Sequence, residues 1–185
     1  MVAVLIVGGL VALLVLIFIL IFNSMIGSRN RVDEAWSGID VQLKRRHDLI
    51  PNLVETVKGY AKHEREVFEK TTAARAEAMK ASGPGEAAKA ESGLTAALTD
   101  LRAVAENYPD LRATENFQKL QGDLAEIEDE IQASRRIYNS NVQSYNTKIQ
   151  IFPNSIVANI ANFKDKEFFE IETAGEREPA EVSFS

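Results

Sequence analysis

Apolar and polar positions divide this chain sharply. From Val2 to Phe22 every residue is apolar, without a single charged or polar side chain. A helix over that stretch is roughly 31 Å long, close to the hydrocarbon thickness of a bilayer, so it reads as a membrane-spanning anchor. After Asn23 a second pattern takes over. Val32, Trp36, Ile39, Leu43, Arg46, Ile50, Leu53, Val57, Tyr60, Glu64, Val67, Thr71 and Ala74 alternate by four and three residues. Such a heptad seam predicts a helix packed on partners with a left-handed crossing. Pro51 falls beside the seam without shifting its phase. It removes one backbone hydrogen bond and crowds the carbonyl of His47, which predicts a kink rather than a turn. The pattern therefore predicts one helix from the membrane to about Lys80.

Ala81-Ser82-Gly83-Pro84-Gly85 then reverses the chain, because Gly supplies left-handed conformations and Pro cannot continue the helical ladder. Glu86 to Glu106 carries Leu94, Leu98, Leu101 and Ala105 on one face. Its Ala-rich opening half (Ala87, Ala88, Ala90) has high helix propensity but little to bury, so a mobile hairpin tip is expected. Asn107-Tyr108-Pro109-Asp110 is a second turn, with Asp110 placed to cap the next helix. From about Leu111 to Ile149, Phe117, Leu120, Leu124, Ile127, Ile131, Ser134, Tyr138, Asn141 and Tyr145 repeat the same alternation. Pro153 opens a shorter helix over Ser155 to Ala161. Two seams of one period, opposed in direction and joined by short connections, define an antiparallel helical bundle. The expected fold is all-α, with an anchor helix continuing into about three to four bundle helices. The expected divisions are an anchor and junction over 1–28, the bundle over 29–163 and a tail over 164–185. In the tail Phe168, Phe169, Ile171, Val182 and Phe184 stand among acids, a segment expected to be extended or disordered unless a partner takes it up.

A cleaved signal peptide would need a basic start, a shorter apolar stretch and a small-residue cleavage site. No Lys or Arg precedes Arg29, so a retained anchor is expected. Arg29 and Arg31, followed by Lys44, Arg45 and Arg46, flank the span on its C-terminal side. The positive-inside rule then places the N-terminus outside and the main domain in the cytoplasm. Beside a membrane, Arg29 and Arg31 are candidates for binding anionic lipid headgroups; a solvated helix surface that merely sets topology fits them equally well.

Composition narrows the chemistry further. The chain has no cysteine, which removes disulfides and thiolate metal sites. Its net charge of −6 argues against general nucleic-acid binding, which needs a basic surface. His63-Glu64 lacks the second histidine of a zinc helix motif, since Val67 stands there. His47 is roughly 24 Å away along the same helix, too far to share a metal. Neither a phosphate loop nor a nucleophile elbow is present. No cofactor, metal or catalytic residue is expected.

The polar intrusions into the seams hold more information. Arg46 and Glu64 on the first seam, and Ser134 and Asn141 on the last, are candidates for fixing register or oligomer state. Arg46 and Glu64 either meet opposite charges across the seam, with Arg135 and the Glu126 to Glu130 cluster as candidates, or reach water where the bundle splays. The amide-rich run Asn139 to Asn146 fits an oligomer contact or a polar face.

At Arg29 to Leu53, with the string Arg29-Asn30-Arg31-Val32-Asp33-Glu34-Ala35-Trp36 and then His47-Asp48-Leu49-Ile50-Pro51-Asn52-Leu53, the chain resembles the LemA family. Val57-Lys58-Gly59-Tyr60-Ala61, Asn107-Tyr108-Pro109-Asp110, Tyr138-Asn139, Tyr145-Asn146 and Phe152-Pro153 continue the resemblance over nearly the whole chain. Phe22-Asn23 departs from the more usual Tyr-Asn. The resemblance implies a bacterial inner-membrane protein with one N-terminal helix and a cytoplasmic helical bundle. It supplies no enzymatic activity; relatives are linked to envelope stress and to internal membrane compartments. Two functions follow as expectations. One is a non-enzymatic scaffold that forms a homo-oligomer, with a ring as one arrangement, and organises or remodels the membrane lipids around it. The other is an adaptor or sensor that holds an envelope-stress protease or signalling protein at the membrane.

Overall fold

The computed structural model describes residues 1–170. Among these the fold is all-α, with six helices: α1 (Val2–Lys58), α2 (Arg65–Ala78), α3 (Gly83–Glu106), α4 (Pro109–Arg112), α5 (Glu115–Gln150) and α6 (Asn154–Ile160). The chain forms two compact units. One combines Met1–Ile39 with Ser134–Phe168; the other is built on Asp40–Ala133. Both α1 and α5 contribute to each. Ile171, Val182 and Phe184 lie outside the described residues.

The first unit pairs the start of α1 with the second part of α5. Lys148 Nζ donates to Ser24 O, Ser24 Oγ and Ser28 Oγ at 3.4, 3.2 and 2.6 Å. Asn141 Nδ2 donates to the Arg31 carbonyl at 3.3 Å, and Trp36 meets the Tyr138 ring at 5.5 Å. As the residue number rises on α1 it falls on α5, so the two helices are antiparallel. Between them Met25, Val32, Ile39, Tyr138, Val142 and Tyr145 are buried, on the four-three rows that heptad packing uses. The span lies apart from this core. Its most apolar window has a mean hydropathy of 3.4 with no part buried, which leaves a helix long and apolar enough to cross a membrane.

The second unit has its own core. Ile50, Leu53, Val54 and Val57 of α1 pack with Phe68 and Ala78 of α2, with Leu94, Leu98, Leu101 and Ala105 of α3, and with Leu111 and Phe117. α1 runs unbroken through Pro51 but ends at Lys58, not near Lys80. At the break the bonding tightens to three residues: Tyr60 N donates to Val57 O at 3.0 Å. Gly59 weakens the helix at this point. Tyr60 swings out to 47% exposure, while Ala61 becomes wholly buried. The seam misled because α2 turns Thr71 and Ala78 inward, with Val67 and Ala74 half-buried beside them. That is the same alternation restarted on a separate helix.

Two further boundaries differ from expectation. Gly83 adopts φ 79°, a left-handed conformation that favours glycine, immediately before Pro84 in the first turn of α3. The Glu86 carboxylate reaches back to accept from the Ser82 N–H at 3.0 Å, one residue beyond the capping-box position. The last long helix starts at Glu115, four residues later than read from the sequence, because Pro109–Arg112 forms a separate turn. Asp110 sits inside that turn rather than capping α5. The Ala-rich start of α3 is not idle either: Ala87 and Ala88 are buried at 6% exposure, where small side chains let α2 and α3 approach.

Candidate functional site

The densest polar chemistry lies inside the second unit, at the first-seam position read as an intrusion. Arg46 is 3% exposed and Glu91 of α3 is 1% exposed. Arg46 Nη1 donates to Glu91 Oε2 at 2.9 Å, and Nη2 donates to Thr95 Oγ1 at 2.9 Å. Glu128 of α5 lies 3.2 Å from the same Nη2. His47 Nε2 meets the other Glu91 oxygen, Oε1, at 2.5 Å. One buried carboxylate thus takes two cationic or polar donors from consecutive residues of α1.

The backbone beneath this cluster is completed from α2. Pro51 has no N–H, so the carbonyl four residues earlier, that of His47, loses its helical partner. Arg75 Nε donates to that carbonyl at 2.7 Å. A guanidinium therefore replaces the bond that the proline removes. Beside the cluster opens a groove of about 640 Å³ lined by Arg46, Thr95, Arg102, Gln121 and Glu128 among others. Both Nη groups of Arg46 are engaged on its own chain, which ties α1, α3 and α5 together in one register, while its buried Nε has no hydrogen-bond partner.

The other seam candidates separate from this cluster. Glu64 lies in the connection before α2, half-buried, where its carbonyl accepts from Phe68 N at 3.4 Å. Ser134 is half-buried on α5. Asn141 caps the Arg31 carbonyl within the first unit. Arg135, offered as a partner for the seam charges, makes none of these contacts, whereas Glu128 from the Glu126 to Glu130 cluster does reach Arg46. Glu91 and His47 escaped the sequence reading. The signal for Glu91 was there: Ala87, Glu91, Leu94, Leu98, Leu101 and Ala105 form one four-three row, with a carboxylate at a core position.

The amide-rich stretch of α5 has a distinct use in the first unit. Asn146 Nδ2 donates to Lys166 O and its Oδ1 accepts from Lys166 N, both at 2.9 Å. Tyr138 and Tyr145 hydroxyls donate to the carbonyls of Glu167 and Lys164 at 2.8 and 3.0 Å. Residues 164–168 are therefore strapped along α5 of their own chain. Burial pushes the Tyr138 phenol up to about 12, aided by the carboxylates of Asp33 and Glu167. Burial likewise raises Tyr145, with Arg29 opposing and Asp165 and Asp33 reinforcing.

At the foot of the span, the Arg29 guanidinium lies 5.8 Å from the centre of the Phe163 ring, within cation–π range. Arg31 Nη2 donates to Ser28 Oγ at 3.0 Å. Both arginines stay exposed, at the level where headgroups would lie if the span is inserted.

Comparison with known proteins agrees with this architecture. The chain is 27% identical over 181 residues to "Magnetosome protein MamQ 2" of Paramagnetospirillum magneticum, covering 84% of this chain and 66% of that relative's length. It is 26% identical to "Magnetosome protein MamQ" of Magnetospirillum gryphiswaldense over the same shares. To "Protein LemA" of Metamycoplasma hominis it is 28% identical over 155 residues, covering 78% of this chain and 69% of the relative. The profile of the LemA family matches residues 35–184, which takes in the buried cluster, the α5 strap, the later part of α1 and helices α2 to α6. The chain belongs to the LemA family.

Proposed function

We propose that this protein is a membrane-anchored, non-enzymatic scaffold that self-associates and organises or remodels the bacterial inner membrane. The observation that carries the proposal is the continuity of α1. One helix, Val2–Lys58, begins as a bare apolar span and continues as a packed seam of the bundle. Helix α1 thereby joins the anchor to bundle residues without an intervening loop. Gly8 has nothing within 4 Å of an added Cβ, so the Gly8 and Ala12 pair is open to a neighbouring span. Some relatives carry the word magnetosome in their names, which suits a role in membrane organisation.

The full chain in mild detergent is the first test, by mass measurement across a concentration series. Oligomers that grow with concentration support the scaffold, and a strict monomer at high concentration refutes it. An adaptor that holds an envelope protein is the rival function. It is favoured by an open cleft of about 630 Å³ lined by Val54, Phe68, Ala73 and Ala76 with Lys58, Lys62 and Arg65 at its edge. Crosslinking from Ser82 in cells separates the two: self-products support the scaffold, and one foreign product supports the adaptor.

A further inference from the structure

The segment around α6 exposes apolar surface that the first unit does not cover. Phe152 is 80% exposed, Ile156 53% and Ile160 69%, with Ile151 at 50%. Ile156 and Ile160 are four residues apart on α6 and share one face, and Phe152 stands exposed in the turn that leads into it. The opposite side is fixed, with Val157 and Ala158 buried. This small helix is therefore docked by one face and bare on the other.

Its position is set by contacts with the end of the span. Phe163, whose N–H donates to Ala158 O at 2.9 Å, places its ring edge-on to Phe22 at 5.7 Å. Phe22 is the last residue of the apolar run and stacks on Phe18 at 6.4 Å. Asn154 Nδ2 donates to the Lys148 carbonyl at 3.1 Å, and the Lys148 ammonium reaches Ser24 and Ser28. Arg29 lies over Phe163. The bare row is thus tied to the turn of α1 where apolar sequence gives way to basic residues.

We propose that Ile151–Ile160 is a second membrane contact, an interfacial foot whose Phe152, Ile156 and Ile160 enter the headgroup–acyl boundary beside the anchor. The occupant is the lipid bilayer, because the segment is seated through the Phe163–Phe22 ring contact against the end of the bare apolar span. A helix with one apolar face lies in that plane about 5–10 Å deep. Arg29 and Lys148 supply positive charge at the same level for anionic headgroups. The foot resists tilting of α1, since a second point of insertion fixes the rotation of the rod about its axis as well as its depth. The proposal rests on α1 spanning the membrane.

The absence of cysteine makes single-site labelling direct. Full-length Ile156→Cys, Leu20→Cys and Ser37→Cys would each carry an environment-sensitive fluorophore. They would be reconstituted in vesicles of phosphatidylglycerol and phosphatidylethanolamine, with and without lipid bearing a nitroxide on the upper acyl chain. Leu20 reports the span, and Ser37 is an exposed α1 position roughly 22 Å beyond Phe22. The expected result is quenching at Ile156 several-fold greater than at Ser37 and comparable to Leu20. Quenching at Leu20 with Ile156 as weak as Ser37 overturns the foot alone. No quenching at Leu20 overturns the spanning assignment, and the foot with it. Shielding of Ile156 that grows with protein concentration, without lipid quenching, assigns the patch to a second copy and also overturns the proposal.

Discussion

Glu91→Ala is the sharpest perturbation of the bundle. It leaves Arg46, 3% exposed, with its Nη1 donor unmatched and His47 Nε2 without its acceptor. Nη2 keeps Thr95 and Glu128, so the guanidinium is weakened in its pairing rather than stranded. Removing one partner of a buried pair costs about 3–5 kcal/mol, a large fraction of the roughly 5–15 kcal/mol that holds a domain together. Glu128→Ala removes a carboxylate that is 38% exposed, and an ion pair open to water contributes about 0–1 kcal/mol. Denaturant unfolding of the full chain in detergent, followed by circular dichroism, should therefore rank Glu91→Ala well above Glu128→Ala. Arg46→Met combined with Glu91→Leu should recover most of the loss, because it removes both charges and fills the space. A Glu91→Ala cost within 1 kcal/mol of Glu128→Ala, or no recovery in the double variant, would refute the assignment of Glu91 as the central acceptor.

Arg75→Met strips the guanidinium donor from the His47 carbonyl and should cost about 1.5–3 kcal/mol; in a Pro51→Ala background, where residue 51 regains an N–H, the cost should shrink, and equal costs in both would sink the proline explanation. Asn146→Ala breaks both bonds to Lys166, so hydrogen exchange at the Lys166 amide should accelerate by at least tenfold; unchanged exchange would count against the strap. Tyr138 keeps its proton in the folded state up to about 12, against an ordinary value of 10. Between those values the unfolded chain releases a proton that the folded chain retains, so this contribution is intact below pH 10 and is lost as pH rises toward 12. Tyr138→Phe should cost about 1 kcal/mol at neutral pH for the bond to Glu167 and flatten the alkaline fall in stability, as pH-dependent unfolding would show.

How far the sequence discloses this molecule depends on the kind of signal. The apolar run and the four-three rows were legible because burial on a helix has a fixed period: Val32, Ile39, Leu43, Ile50, Leu53 and Val57 are all buried. The break at Gly59 was not, since α2 restarts the alternation in nearly the same phase and periodicity carries no record of continuity. Arg46 stood out as a charge in a seam, yet its partner hid among alanines. Ala-rich helices bury little area per residue, so hydrophobicity underweights their core face, and Glu91 passed without notice. His47 was weighed only against His63 as a metal ligand, whereas its partner lies 44 residues away. The strap from Asn146 to Lys166 uses backbone groups, which no side-chain pattern announces.

The Lys148 ammonium is held by Ser24 and Ser28, three uncharged oxygens that leave its charge intact beside the span. Rules of membrane orientation count the basic residues that flank a span in sequence. Lys148 joins that count from more than a hundred residues downstream, and only after α5 has docked. With the span inserted in the expected orientation, charges near Arg29 would act during insertion and Lys148 would reinforce them once α5 has docked. Reversing the anchor would first require unfolding the unit that delivers the late charge.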